Sequence, residues 1–271
     1  MIPVYEEGAW HTESARVVGD PFVQDAANFA FRLSVPEGWQ VWGNAEVLKE
    51  GSVYTGTALA ARDLSLIVSR ELTAETKDVN GIRVTALGRE KAGAVRGLEI
   101  AGKALRVYSE LYGDYPDPVF TLVACALPFD SMEHPGVSLI NEALFADEDK
   151  LEQALALSCA RQWFGALAGA DLFHHGWMSG ALSRYAMLSY YGRTKGEGAR
   201  EDLIRTLIDP AMRDPSARTF TPGMPADYFA DLTTYIAVVY DKGCALMCAL
   251  DLSLDGGTDA FLRAYVEKYA F

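Results

Sequence analysis

Residues Leu157 to Tyr185 read LSCARQWFGALAGADLFHHGWMSGALSRY, and the reading of this stretch decides the fold. Two runs with helical spacing of apolar residues, 147–168 and 177–191, flank a short polar turn that contains His174 and His175. The first run carries the tetrad Gln162-Trp163-Phe164-Gly165, and the second opens on Trp177 and includes Tyr185. Adjacent residues point in different directions on a regular element. His174 and His175 are therefore expected to cap the turn or bond at the surface rather than share a metal.

The tetrad and its flanks resemble the signature of the aminopeptidase N family of gluzincin zinc peptidases, H-E-x-x-H-Q-W-F-G followed by W-L-N-E-G-F-A-x-Y on the next helix. In an H-E-x-x-H motif the two histidines bind zinc from one helical face and the glutamate acts as general base. Without a gap, the first histidine falls on Leu157, the glutamate on Ser158, the second histidine on Arg161 and the third-ligand glutamate on Gly180. Leucine offers no lone pair, glycine has no side chain, and arginine is a permanent cation with no acceptor. The resemblance thus implies the family's scaffold, kept in Trp177, Tyr185 and the tetrad, with no zinc cofactor and no intact catalytic residue.

Two further motifs stand in the family's order. Met132, Glu133, Pro135 and Gly136 match a G-A-M-E-N-P-G element, an edge strand in the family whose glutamate holds the free α-amine of a peptide. Asp130, Ser131 and His134 depart from it. Tyr240-Asp241-Lys242-Gly243 resembles the Y-E-K-G-A element, in which the tyrosine stabilises an oxyanion. Met132, Glu133 and a vestigial Tyr240 are thus the implied substrate-side residues. For Glu133 two roles stay open: an anchor for a peptide amino terminus, or an internal partner of Arg161, since a buried carboxylate needs a counter-charge.

Composition sets the outer bounds. Half of the 271 residues are apolar, enough for one or two substantial cores, and the formal net charge of -13 argues against nucleic acid and anionic membrane surfaces as partners. Cys125, Cys159, Cys244 and Cys248 lie in apolar runs and read as free, buried thiols, which favours a reducing, cytoplasmic setting. The chain shows neither a signal-peptide pattern nor an apolar run long enough to span a bilayer.

Along the chain, 28–35, 52–58 and 64–69 read as strands, and the run from Gly19 to Val41 resembles the later part of the family's β-domain. Residues 79–86 read as a strand and 90–112 as a helix whose stripe is Val95, Leu98, Ile100, Ala101, Leu105, Tyr108, Leu111 and Tyr112, capped by Gly113. Residues 121–127 read as a buried strand, 193–201 as a loop, 203–212 and 231–254 as helical, 214–226 as irregular and 258–269 as a last helix.

The expectation is an α+β chain: a partial β-sandwich (saddle) domain over 1–75 and a thermolysin-like domain of small mixed sheet and helices over 76–271, with the family's helical C-terminal domain absent. The implied function is a catalytically inactive aminopeptidase N-like homologue that binds a peptide or protein amino terminus or serves as a scaffold. The alternative is a metallo-aminopeptidase or other peptide hydrolase with a non-standard site, drawing on Ser158, Ser131, His134 and Tyr240, although no G-x-S-x-G elbow is present.

Overall fold

The computed structural model describes residues 4–6, 8–11, 18–19 and 25–270. It is a mixed α and β structure that divides into two compact units, one made of 26–167 and the other of 168–270 together with the described residues up to 25. The expected boundary near residue 75 falls inside the first unit, and part of the run from Gly19 to Val41 lies outside the described residues.

The strands, in chain order, are β1 (Val4–Glu6), β2 (Ala9–His11), β3 (Ala27–Ser34), β4 (Gln40–Gly43), β5 (Glu46–Glu50), β6 (Val53–Ala61), β7 (Leu66–Ser69), β8 (Thr73–Val79), β9 (Ile82–Gly88), β10 (Val119–Cys125), β11 (Ser131–His134) and β12 (Val137–Asn141). In the first unit β3, β6 and β5 form an antiparallel sheet, β4 pairs with β7, and the remaining five strands form a mixed sheet of order β11-β12-β10-β9-β8. Val35, Val41 and Tyr54, with Phe31, Leu33, Trp39 and Leu66 against them, make the core under the small sheets.

The run 79–86 is not one strand. Asn80 and Gly81 both have positive φ, +54° and +85°, the requirement of a two-residue hairpin turn, so the chain reverses there and joins β8 to β9. Parallel pairing of β9 with β10 then needs a crossover, which is helix α1 (Lys91–Tyr112). Its buried stripe runs through Ala94, Leu98, Ala101, Leu105, Tyr108 and Tyr112, whereas Val95 of the expected stripe is exposed. Gly113, at φ +104°, ends α1 with its N–H on the Ser109 carbonyl.

Helix α2 (Glu148–Ala160) starts on Asp147, whose carboxylate accepts from the Lys150 N–H. The expected single helix to residue 168 breaks beyond Arg161: Phe164 (φ -104°, ψ 75°) and Gly165 (φ 144°, ψ -53°) leave helical geometry within 162–167. Glycine is required there because an L side chain rarely adopts that φ.

Apart from the antiparallel pair β1–β2, the second unit is helical. It contains α3 (Trp177–Lys195), α4 (Glu197–Leu203), α5 (Asp209–Arg213), α6 (Ser216–Thr219), α7 (Leu232–Tyr235), α8 (Gly243–Asp251) and α9 (Gly257–Tyr269). The expected loop at 193–201 is helix for most of its length: α3 runs on to Lys195, Gly196 (φ +92°) makes the corner, and α4 begins at once. The irregular stretch 214–226 contains the single turn α6. α3 is buried on nearly every side, from Ser179 to Tyr191, as the central helix of its unit must be. Gly243 lets α8 approach it, since a Cβ there would lie 2.6 Å from the Cβ of Ala181.

Candidate functional site

The residues aligned with peptidase chemistry divide between the two units. Glu133, Leu157, Ser158 and Arg161 belong to the first, and Gly180 and Tyr240 to the second.

In the first unit β11 is the edge strand of the mixed sheet, antiparallel to β12, with Met132 opposite Leu139 and Glu133 opposite Ser138. The Pro135-Gly136 turn joins them. Gly136 has φ +69°, and a Cβ on it would meet the Cβ of Asn44 at 2.7 Å, so the matching glycine is kept for backbone geometry and for space. Gln162 pins this turn to the end of α2: its Oε1 accepts from the Gly136 N–H at 2.8 Å and its Nε2 donates to the His134 carbonyl at 3.2 Å. Trp163 and Phe164, both fully buried, pack on α1, where Trp163 Nε1 donates to the Gly113 carbonyl at 2.9 Å and its ring meets Tyr108 and Tyr115. Phe164 meets Tyr112 edge-on. The tetrad thus fixes the end of α2 against the edge hairpin and α1.

The chemistry held in this frame is an ion pair. Arg161 Nη1 donates to Glu133 Oε2 at 2.7 Å, and the Ser131 hydroxyl donates to Glu133 Oε1 at 2.5 Å. Only 6% of the Glu133 side chain and 14% of the Arg161 side chain is exposed. Burying a carboxylate costs free energy unless it has such partners, and the internal pair is one of the two roles left open by the sequence. Ser158, at the general-base position, is fully buried and donates its hydroxyl to Ser138 at 2.7 Å.

His134 Nδ1 lies 3.1 Å from Asp63 Oδ2, and Asp63 is in turn held through its carbonyl by Asn44 Nδ2. The serines weighed as nucleophiles make their recorded bonds to Glu133 and Ser138, not to His134. Asp63 and Asn44 were missed in the sequence because the contacts His134–Asp63 and Asn44–Asp63 span 71 and 19 residues, beyond any local pattern.

In the second unit Gly180 lies under the ring of Tyr240. A Cβ at 180 would stand 2.8 Å from Cδ2 and Cε2 of that ring, so the space in which a third-ligand side chain would start is filled. Tyr240 packs at the edge of a core of Phe173, Phe229, Tyr235, Val238 and Val239. The Arg184 guanidinium lies 5.9 Å from its ring centre and, on its other side, 3.0 Å from Asp241 Oδ1, a charge contact whose geometry falls short of a hydrogen bond. Burial raises the Asp241 carboxyl above the usual carboxylate range, and Arg184 only partly offsets this. Within the turn before α3, His174 Nδ1 lies 2.5 Å from Asp171 Oδ2, the surface role expected of it.

The donor set does not fit a zinc ion. Leu157 and Gly180 bring no donor, and Arg161 brings a cation already engaged with Glu133. Among the described residues no group of three or more His, Cys, Asp or Glu side chains is placed to hold a metal, and no helix is long and apolar enough to cross a membrane. Two of the four thiols expected to be buried, Cys125 and Cys248, are instead half-buried.

No family model matches the chain. It is 26% identical over 183 residues to aminopeptidase RNPEPL1 of Mus musculus, covering 62% of this chain and 25% of the relative. Leucine aminopeptidase 2 of Candida glabrata is 24% identical over 53% of this chain and 23% of its own length. The chain thus spans about a quarter of the curated relatives it matches. The crystal structure of an M1 zinc metallopeptidase mutant from Deinococcus radiodurans superposes with a TM-score of 0.66 at 20% identity, over 91% of this chain and 58% of that one. With the edge strand, the tetrad and the α2–α3 order already in place, these likenesses support, at low identity, a relationship of this α+β chain to the aminopeptidase N-like M1 metallopeptidases.

Proposed function

We propose that this chain is a non-hydrolytic relative of the M1 aminopeptidases, serving as a binding or scaffold module. The observation that carries the reading is the Arg161–Glu133 pair: at the second-histidine position stands a cation, bonded at 2.7 Å to the carboxylate that in the family receives the substrate amine. Leu157, Ser158 and Gly180 at the other ligand and base positions supply neither a metal donor nor a general base. A peptide amino terminus binding at Glu133 has to displace a guanidinium, so the free-amine recognition of an aminopeptidase is suppressed here. Tyr240, without a nucleophile to generate an oxyanion, serves as packing over Gly180.

The test is turnover of aminoacyl arylamides by the purified chain, with and without added zinc, beside metal content by elemental analysis after purification without a metal-affinity tag. The expected result is no stoichiometric zinc and no turnover above buffer. Chelator-sensitive, zinc-dependent turnover overturns the reading. Labelling of Ser158 or Ser131 by a serine-directed fluorophosphonate instead supports the non-standard hydrolase.

A further inference from the structure

A sheet edge is a row of unpaired backbone donors and acceptors, and natural edges are kept short, charged, bulged or covered. Most edges of the first unit follow that rule. In the mixed sheet β8 carries Glu75, Lys77 and Asp78 within seven residues, and β11 is four residues long. In the small sheets β5 carries Glu46, Lys49 and Glu50 within five residues, and β4 and β7 have four residues each. β3 differs. It is eight residues long, holds a single charge, Arg32, and no proline, and among the described residues it pairs on one side alone, with β6. Its one irregularity, between Ala27 and Phe29, leaves 29–34 in unbroken register with β6.

The core face of the sheet is incomplete at the same edge. Phe29, Phe31 and Leu33 alternate with Asn28, Ala30, Arg32 and Ser34, and these last four are exposed. Phe31 and Leu33 pack against Val35, Val41 and Tyr54, and the Phe31 ring lies over Gly56. Even so, Phe29, Phe31 and Leu33 stay half-buried, whereas Tyr54 and Ala58, opposite Leu33 and Phe29 on the central strand β6, are only 3% and 5% exposed.

We propose that a second copy of this chain continues the sheet, its β3 pairing antiparallel with this one about a two-fold axis through Phe31. In that register Phe31 meets Phe31 of the second copy, Phe29 meets its Leu33, and Ala30 meets its Arg32, so apolar faces apolar and no charge faces its like. A two-fold on Arg32 would set two guanidiniums against each other, and one on Ala30 would leave Leu33 opposite Ala27. This fit of the strand to itself is what favours a second copy over an unrelated strand, since a two-fold contact requires one patch that is its own complement. Backbone hydrogen bonds supply the affinity and the alternating side chains fix the register. The inference is independent of whether the chain hydrolyses peptides.

The experiment is sedimentation equilibrium of the whole chain, kept reduced, over about 1 µM to 1 mM, the range suited to a small contact. Salt at about 0.15 M screens the net charge of -13. Wild type should show a reversible monomer–dimer equilibrium. Residue 30 is exposed, so substitutions there leave the core alone. Ala30→Glu sets a carboxylate opposite Arg32 twice across the two-fold and should tighten the dimer by about 2- to 30-fold, and Ala30→Arg should weaken it by about the same factor. In wild type, amide exchange across 27–34 should slow as the dimer forms, a readout that needs no variant. A monomer at every concentration, which would leave the edge to solvent or to a strand of another polypeptide, overturns the proposal. A dimer that both variants shift in the same direction, or one that forms without slowing exchange across 27–34, also overturns it.

Discussion

The two units treat the positions aligned with peptidase chemistry in different ways. In the first, Arg161 and Ser158 each have a polar partner, Glu133 at 2.7 Å and Ser138 at 2.7 Å. In the second, Gly180 has no side chain, and the ring of Tyr240 fills the space above it. The difference follows from what each position must satisfy. A buried guanidinium or hydroxyl costs free energy until it is paired, whereas a missing side chain costs only a void until something packs into it. One set of positions is paired and the other is filled in.

The sharpest way to break this contrast is Arg161→Met. It leaves the buried Glu133 carboxylate with Ser131 alone and should destabilise the chain by about 3–5 kcal/mol, read as a lower denaturant midpoint. Arg161→Met with Glu133→Gln should recover most of that loss, because no uncompensated charge remains. If the single variant loses less than about 1 kcal/mol, the pair is no more than a surface contact.

Gly180→Ala probes the filled-in half. The methyl would strike Tyr240 near its ring base, where the side chain has little room to swing, and the expected cost is about 1–3 kcal/mol in chemical denaturation despite the helix propensity gained. Gly198→Ala on α4, where a Cβ meets nothing within 4 Å, should instead stabilise by about 0.4–1 kcal/mol. Equal responses of the two glycines would mean that the Tyr240 ring does not occupy the space above 180.

The pH dependence of the second unit sharpens it further. The folded Asp241 carboxyl titrates above its unfolded value, so its contribution falls as pH rises from about 4, the ordinary Asp value, through the raised one. Asp251 has the opposite sign. Burial works against its charge, but the Thr258 N–H, Tyr185 and Arg200 hold it below the ordinary value, so its contribution is lost only as pH falls through that lowered value. Unfolding free energy measured against pH should therefore decline for wild type relative to Asp241→Asn across the mildly acidic range. A constant difference between the two proteins would contradict this.

The smallest effect is expected at an ion pair of the first unit that lies outside the aligned positions. Lys77–Glu99 is 2.9 Å long but well exposed at both ends, and Lys77→Ala should shift stability by no more than about 0.5 kcal/mol, a change that added salt should erase.

Much of this was legible in order along the chain. The tetrad, the M-E-x-P-G turn and the Gly113 cap could be read because each is a local demand: a positive φ, a proline, an aromatic at helical spacing. The break at Gly165 was not legible, because the positions on either side of it still show helical periodicity and only the packing of Phe164 on Tyr112 shows where the helix ends. Nor was the continuation of helix through 193–201, where polarity suggested a loop but Gly196 turns the chain for a single residue.

By itself the sequence determined that Leu157, Gly180 and Arg161 offer no side-chain donor to a metal ion. It also limited Glu133 to two partners. Only the tertiary structure brought Arg161 to Glu133, Asp63 to His134, Ser138 to Ser158 and the Tyr240 ring over Gly180. The physical reason is one of range: donor chemistry and backbone conformation belong to single residues and short spacings, while pairing and excluded volume arise between residues brought together from 20 to 71 positions apart.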